Sequence, residues 1–113
     1  TAAAQASARA AVRPGVAFEA LDAAARDVIV AGGYGDRFIH RLGHGIGLEV
    51  HEEPYAVAGN TDTTVAGNTF SCEPGIYLEG RYGVRIEDIV VCTADGGESL
   101  NESPRELRVV AGR

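Results

Sequence analysis

The spacing of apolar residues predicts two helices in the first third of the chain. Residues 1–12 are rich in alanine, the best helix former, and the Arg13-Pro14-Gly15 sequence is expected to end that helix. A second helix is expected over 17–31, where apolar residues recur at helical intervals until Gly32-Gly33 provides a stop. The residues that recur are Phe18, Leu21, Ala25, Val28 and Ile29. Both helices are therefore expected to pack one apolar face on a core.

Beyond the second helix, glycines and β-branched residues replace the helical pattern and predict strands. Ile46, Leu48 and Val50 alternate with other residues, as the buried positions of a half-buried strand do. A loop rich in turn-forming residues is expected over about 54–68, and a short final strand over 107–110. The second part of the chain is thus predicted to be mostly β-structure.

The strongest strand signal is a hairpin. Two strand-like runs, 69–78 and 82–93, are joined by the Glu79-Gly80-Arg81 turn. With a loop of those three residues, opposed positions on the two strands have numbers that sum to 160. The register of the pair is therefore predicted as well as its existence.

This register places two carboxylates face to face. Glu73 lies opposite Glu87, and like charges opposed across two strands are destabilising unless something neutralises them. A divalent cation would do so, because carboxylates are natural ligands of hard metal ions. A register one residue away would put Glu73 opposite Asp88 or Ile86 and would remove this argument. The hairpin alone leaves both interpretations open.

Composition narrows the class of protein. The chain has 113 residues, enough for one small domain, and a net charge of −6 with arginine as its only basic residue. That charge argues against nucleic-acid binding, and no apolar stretch is long enough for a membrane-spanning helix. Cys72 and Cys92 are expected to be reduced core thiols, and residues 1–12 do not have the pattern of a signal peptide, so a cytoplasmic location is expected. Because methionine is absent, we expect a processed chain, a designed one or a portion of a longer product.

All three histidines fall within twelve residues, among several glycines and glutamates. They are His40, His44 and His51. The glycines disfavour a helix here, so the spacing of His40 and His44 does not indicate two ligands on one helical face. His44 and His51 would point to opposite faces of a regular strand because their separation is odd. A bend or bulge at 45–47 is needed if both serve one site, and the spacing alone does not decide this.

Three segments occur in the order and with the sequences of known signature blocks. Residues 43–54 contain Gly-His-Gly-Ile-Gly and Val-His-Glu-Glu-Pro, residues 72–77 read Cys-Glu-Pro-Gly-Ile-Tyr, and residues 83–88 read Gly-Val-Arg-Ile-Glu-Asp. Together they resemble the pita-bread metallopeptidases, which include methionine aminopeptidases, aminopeptidase P and prolidase. The block around Glu87 is similar to the Xaa-Pro branch. The resemblance implies that residues 1–113 are the C-terminal portion of a catalytic domain, an α+β fold with two N-terminal helices packed on a curved, mostly antiparallel sheet.

The resemblance also implies a role for each matching residue. His44, Glu73 and Glu87 match three ligands of a dinuclear metal centre, with Glu87 bridging two ions that are usually manganese or cobalt, although zinc also suits such sites. His51 would donate a hydrogen bond to the substrate, and Glu73 would also carry a proton to the leaving proline nitrogen. His40 matches a substrate-binding histidine.

The remaining positions set the limits of the match. Arg85 is expected to point away from the metals and to act at most on their ligands. The family centre has two further aspartate ligands on upstream strands, and the acidic residues before the histidines do not fit that motif. Those residues are Glu19, Asp22, Asp27 and Asp36. The chain is therefore expected to hold an incomplete site, which could be metal-free.

The functional interpretation follows from this resemblance. The parent protein is expected to hydrolyse the peptide bond before proline, with a proline-containing peptide as its partner, while this portion alone is expected to be inactive. The exposed face of an incomplete sheet predicts self-association, for example a homodimer. The alternatives are a catalytically dead peptide-binding module on the same fold, a methionine aminopeptidase, and an unrelated single-metal hydrolase.

Overall fold

Both predicted helices are present in the computed structural model, which describes residues 1–112. Helix α1 spans Ala2–Ala11 and helix α2 spans Phe18–Ala31. The Arg13-Pro14-Gly15 turn separates them, and Gly33, with φ of 85°, lies just beyond the end of α2. Their predicted ends are confirmed to within a residue or two.

Within residues 1–112, seven short strands form two antiparallel sheets. The strands are β1 (Gly43–Gly45), β2 (Glu52–Ala56), β3 (Thr69–Cys72), β4 (Gly75–Leu78), β5 (Tyr82–Arg85), β6 (Asp88–Thr93) and β7 (Gly96–Ser99). Strands β2, β1, β3, β6 and β7 are neighbours in that order in one sheet, and β4 pairs with β5 in the other. A 3₁₀ turn at Gly35–Arg37 follows α2. The α+β class with two helices and an antiparallel sheet is therefore confirmed.

The predicted hairpin register is confirmed, with one interruption. Every pair from Thr69↔Val91 to Cys72↔Asp88, and every pair from Gly75↔Arg85 to Leu78↔Tyr82, has numbers that sum to 160. The ladder breaks between these two sets at 73–74 and 86–87, where Pro74 offers no N–H. The register continues across the break, and the Ile86 N–H donates to the Pro74 carbonyl at 3.3 Å. Two long strands were predicted, one over 69–78 and one over 82–93. Because of the break, the first is divided into β3 and β4 and the second into β5 and β6.

The strand predicted from Ile46, Leu48 and Val50 was wrong. Those side chains are 40%, 102% and 81% exposed, and the actual strand, β1, ends at Gly45. The backbone of Gly45 lies very close to the backbone of β2. A Cβ at Gly45 would be 2.2 Å from the Glu53 carbonyl oxygen. The chain bends sharply after Gly45 to return as β2, so its apolar side chains do not reach the core.

Two other predictions need correction. The loop expected at about 54–68 begins later, because β2 continues to Ala56. No strand forms at 107–110, where the described backbone has no regular structure and the apolar side chains are exposed. The final strand is instead β7, which pairs with β6 through positions such as Cys92↔Gly97. Gly97 permits this pairing close to α1, since a Cβ there would lie 2.7 Å from the Val12 side chain.

The core lies between the helices and the five-stranded sheet. Phe18 of α2 meets Phe70 of β3 edge to face, with ring centroids 5.4 Å apart. Cys72 and Cys92 are buried free thiols, as predicted, and burial raises the pKa of Cys72 to about 12. The five-stranded sheet, next to which the histidines and glutamates lie, therefore packs directly on core side chains.

Some apolar surface remains uncovered in this arrangement. Ile39, Tyr82, Val84 and Leu107 are all more than 40% exposed. The self-association that such surface would favour stays a prediction. Neither helix of the described residues has the length and apolar character needed to cross a bilayer.

Candidate metal centre

Three possible metal ligands converge where the hairpin ladder is interrupted. One ligand atom from each of His44, Glu73 and Glu87 lies within 4.8 Å of the other two. His44 comes from the middle of β1, and the two glutamates occupy the opposed positions between the two ladders. His44 and Glu73 are both buried, whereas Glu87 is exposed. Their roles as ligands remain a prediction, but the structure places them within reach of one ion.

The hydrogen bonds of His44 fix which ring nitrogen faces the glutamates. Its Nδ1 lies 2.9 Å from the Gly45 carbonyl oxygen, which can only accept, so Nδ1 carries the proton in the neutral ring. The lone pair on Nε2 then faces Glu73 Oε1 at 3.1 Å. Two acceptors at that distance repel each other unless a proton or a cation lies between them. The donor set therefore fits a metal ion, with the backbone carbonyl orienting the imidazole.

Ser71 links these two candidate ligands, a role that sequence reasoning missed. Its hydroxyl accepts from the His44 N–H at 3.0 Å and donates to Glu73 Oε1 at 2.8 Å. The serine is fully buried next to Gly43, where a Cβ would lie 1.7 Å from the Ser71 carbonyl oxygen. The only signal in the sequence was the alternation of β3, which placed residues 71 and 73 on one face.

The expectation that Arg85 points away from the metals was wrong. Arg85 and Glu87 are two positions apart, so a strand presents them on the same face, and Arg85 Nη1 lies 3.2 Å from Glu73 Oε2. Arg85 Nε also donates to the Tyr77 hydroxyl at 2.7 Å, and this hydrogen bond raises the pKa of Arg85. Arg85 thus contacts the candidate ligand Glu73 with a charge that is always present.

Tyr77 connects this group to His40. The His40 Nε2 lies 3.0 Å from the Tyr77 hydroxyl, and its Nδ1 lies 2.7 Å from the Arg41 carbonyl oxygen. Tyr77 can reach this position because Gly83 opposes it, where a Cβ would lie 2.5 Å from its ring. The sequence offered a signal for Tyr77, namely its glycine partner in the predicted register.

The bend after β1 brings His51 to the same place as His44. Their ring centroids are 4.5 Å apart with the planes at 82°. The β1–β2 register shifts between Gly43 and Gly45, and bends follow up to His51. Of the two arrangements that the spacing left open, the structure therefore has the one with a bulge and a bend.

A cavity of about 450 Å³ lies in front of these groups. It is lined by His40, Arg41, His44, His51, Val57, Glu73 and Arg85. Arg41 stacks on the Tyr55 ring at 4.5 Å, and among residues 1–112 no carboxylate forms an ion pair with it. The cavity thus combines three imidazoles with an uncompensated positive charge.

Comparison with known proteins identifies the family. Residues 1–94 match the model of metallopeptidase family M24. The chain belongs to that family. This M24 chain is 60% identical over 107 residues to the probable dipeptidase PepE of Mycobacterium tuberculosis, covering 95% of the chain and 28% of that protein. It is 50% identical over 107 residues to the Xaa-Pro dipeptidase of Lactobacillus helveticus, with 95% of the chain and 29% of the relative covered.

The solved structures agree on the fold. The M24 chain superposes on the crystal structure of dipeptidase PepE from Mycobacterium ulcerans with a TM-score of 0.92 and 59% identity, covering 94% of the chain and 29% of that protein. The chain therefore adopts part of the pita-bread fold of the prolidases and aminopeptidase P. The chain spans less than a third of the length of these relatives. A divalent metal is implied by membership of the family, and the donor set described above fits one.

Proposed function

We propose that this M24 chain carries part of the catalytic site of an Xaa-Pro dipeptidase. The observation that carries the proposal is the convergence of His44, Glu73 and Glu87, the first two of which line a cavity together with His40 and His51. Metal-ligating and hydrogen-bonding groups on one cavity wall are what hydrolysis of a peptide bond requires. The relatives named dipeptidase or Xaa-Pro dipeptidase support this choice over a methionine aminopeptidase.

The proposed metal ligands of this chain are His44, Glu73 and Glu87, with Glu87 shared by two ions. Divalent metal ions, for which we propose manganese, would act as Lewis acids on the scissile carbonyl when bound. The hydrogen bond from His44 Nδ1 to Gly45 and the contact of Glu73 with Arg85 keep the ligand atoms of these side chains oriented toward the same point. Cobalt and zinc suit the same donors.

The other cavity residues would bind and orient the peptide. The exposed imidazole of His51 can donate to the carbonyl oxygen as negative charge develops there. Glu73 would move a proton to the leaving nitrogen, a role supported by its position in the cavity wall and by the contacts of Ser71 and Arg85 with its two oxygens. His40 would contact the substrate beside the metals, in an orientation set by Tyr77.

Arg41 supports a dipeptide as the substrate rather than a long peptide. Its guanidinium lies at the same cavity without an acidic partner among the described residues, and a free carboxylate is the group that it would pair with most strongly. In a dipeptide that ends in proline, the carboxylate lies one residue from the scissile bond. Substrates with a free C-terminus at that distance should therefore be preferred.

We further propose that residues 1–113 are the C-terminal portion of the catalytic domain. The support is that the chain covers only 28% of its relatives, and that its upstream acidic residues lie on α2 or in the turn after it. Two further aspartate ligands would come from another part of the complete protein. With half of its anionic ligands, the isolated chain should bind metal weakly and should not cleave peptides.

The test compares the protein encoded by the complete reading frame with the isolated chain. With added Mn²⁺, the complete protein should hydrolyse Ala-Pro, should act much less on Ala-Pro-amide, and should lose activity with EDTA. The isolated chain should be inactive. Binding of Ala-Pro without hydrolysis by the complete protein would refute the enzyme and favour a peptide-binding module. Equal rates on Ala-Pro and Ala-Pro-amide would refute the role of Arg41.

A further inference from the structure

A partly buried ion pair on α2 holds the segment that carries His40. Asp22 is 1% exposed, and its two carboxylate oxygens accept from Arg26 Nε at 2.8 Å and Nη2 at 3.1 Å. The two residues are one helical turn apart, so the guanidinium grips the carboxylate as a fork. Neither residue lines the cavity, and the proposed chemistry does not use them.

Both partners also bind the backbone of residues 38–42. Arg26 Nη1 donates to the Phe38 carbonyl and Nη2 donates to the His40 carbonyl, each at 2.9 Å. The Leu42 N–H donates to Asp22 Oδ1 at 2.9 Å, and the guanidinium lies 4.0 Å above the Phe38 ring. One ion pair thus satisfies three backbone groups on both sides of His40.

These contacts replace the sheet pairing that the segment lacks. Residues 38–42 lie between the 3₁₀ turn and β1 and belong to no helix or strand. Without Arg26 the Phe38 and His40 carbonyls would lose their charged donor, since a buried or half-buried carbonyl needs a partner. Leu42 continues the chain of contacts, because its carbonyl accepts from the Glu73 N–H at 2.9 Å.

We infer that Asp22 and Arg26 are positioning residues that orient His40 for peptide binding, an inference that rests on the proposed function for the role of His40. An ion pair by itself, exposed or buried, is weak support for stability. Here its geometry does something more specific, because it fixes the peptide units before and after His40 and so aims the ring at Tyr77. The contacts of Arg26 affect the proposed substrate-binding residue His40. Asp22 is also connected to the candidate ligand Glu73 through the backbone of Leu42.

Arg26→Lys separates these two effects. Lysine keeps the charge beside Asp22, but it lacks the planar fork that reaches the Phe38 and His40 carbonyls at the same time. In the complete protein, KM for Ala-Pro should rise about tenfold, because a small misplacement of a binding group is enough for such a loss. Both kcat and the Kd for Mn²⁺ should stay within about twofold, because the Asp22–Leu42–Glu73 contacts remain.

Matched controls exclude a general loosening of the protein. Arg13→Lys makes the same exchange at an exposed position, and Asp27→Asn removes an exposed carboxylate from the same helix. Both should leave KM and the Kd for Mn²⁺ unchanged. If Arg26→Lys is unfolded by circular dichroism, Arg26→Gln takes its place, because its amide can reach only one of the partners and should raise KM in the same way.

The outcomes distinguish this inference from the proposed function. KM within about twofold of wild type in the folded Arg26 variant would overturn the inference, and so would a rise in the Kd for Mn²⁺ as large as the rise in KM. If the wild-type protein does not cleave Ala-Pro, the proposed function fails. The ¹⁵N signals of the His40 ring then decide the positioning: a change in Arg26→Lys but not in Arg13→Lys supports it, and no change in either overturns it.

Discussion

The two sides of the candidate site are built in different ways. Glu73 and Glu87 lie between two hydrogen-bonded ladders that share one register, so their backbone is fixed from both ends. His51 lies at the end of an exposed bend, 46–51, whose side chains pack on little else. The side with the candidate ligands therefore resembles a rigid frame. The His51 side is a loop with few contacts: the turn at Gly45, the hydrogen bond from the Ile46 N–H to the Thr69 carbonyl, the start of β2 and the packing of the His51 ring on His44.

This difference corresponds to the chemistry proposed for each side. Metal ligands must keep their distances to a few tenths of an ångström, which regular pairing and buried contacts provide. A residue that meets the substrate can move with it, and the least stable segments of a protein are those that do so. The comparison predicts that substitutions on the ladder side alter stability and metal binding, whereas substitutions in the loop alter catalysis alone.

The largest expected effect is on stability. Phe70→Ala on β3 should lower the free energy of unfolding by about 3–5 kcal/mol, because it leaves a cavity against Phe18 in the core. Leu48→Ala in the loop should change it by less than about 0.5 kcal/mol, because the side chain is 102% exposed. Urea denaturation measures the free energy of unfolding of both variants. Similar losses in the two would contradict the distinction between a rigid ladder side and a loosely held loop.

The next largest effect is on metal binding. Glu73→Gln should raise the Kd for Mn²⁺ by about 100-fold or more, because it replaces a charged ligand and breaks its pair with Arg85. Glu79→Gln, in the exposed turn of the same hairpin, is the matched control and should have no effect. Calorimetric titration with Mn²⁺ gives both values. Equal affinities in the two variants would remove Glu73 from the proposed ligand set.

The same comparison explains what could be predicted from the sequence. The hairpin register was predictable because a short turn fixes which residues oppose each other, and Glu73 and Glu87 followed directly from it. The bend at 46–51 was not, because alternation of Ile46, Leu48 and Val50 is a local pattern. Whether Gly45 lies against Glu53 depends on a contact between strands that periodicity does not contain.

Long-range side-chain contacts were the other limit. The link from His40 through Tyr77 and Arg85 to Glu73 joins three segments of the chain. Arg85 and Glu87 are two positions apart and therefore share a face of a strand. This alternation could have corrected the expected direction of Arg85. Nothing in the sequence alone predicts that the carboxylate of Asp22 pairs with the Leu42 N–H.

A smaller effect is expected from His51→Ala on the loop side. In the complete protein it should lower kcat by about tenfold, because an exposed imidazole donates a hydrogen bond that solvent partly weakens. The Kd for Mn²⁺ and the free energy of unfolding should not change, since the ring is not part of the group formed by His44 and the glutamates. A weakened Mn²⁺ affinity in this variant would show that the two sides are not independent.

The smallest perturbation tests the exposure of the two sides directly. Cys72, next to Glu73, is 1% exposed and has a raised pKa of about 12, so iodoacetamide should not modify it in the folded protein. Leu48→Cys introduces a thiol in the loop with almost no expected effect on stability, and it should react about as fast as a free cysteine. Mass spectrometry of the labelled peptides reports both rates in one sample. Because opening of the ladder would expose Cys72, a comparable rate at the two positions would mean that β3 opens as readily as the loop moves, and the frame proposed for the metal ligands would not be rigid.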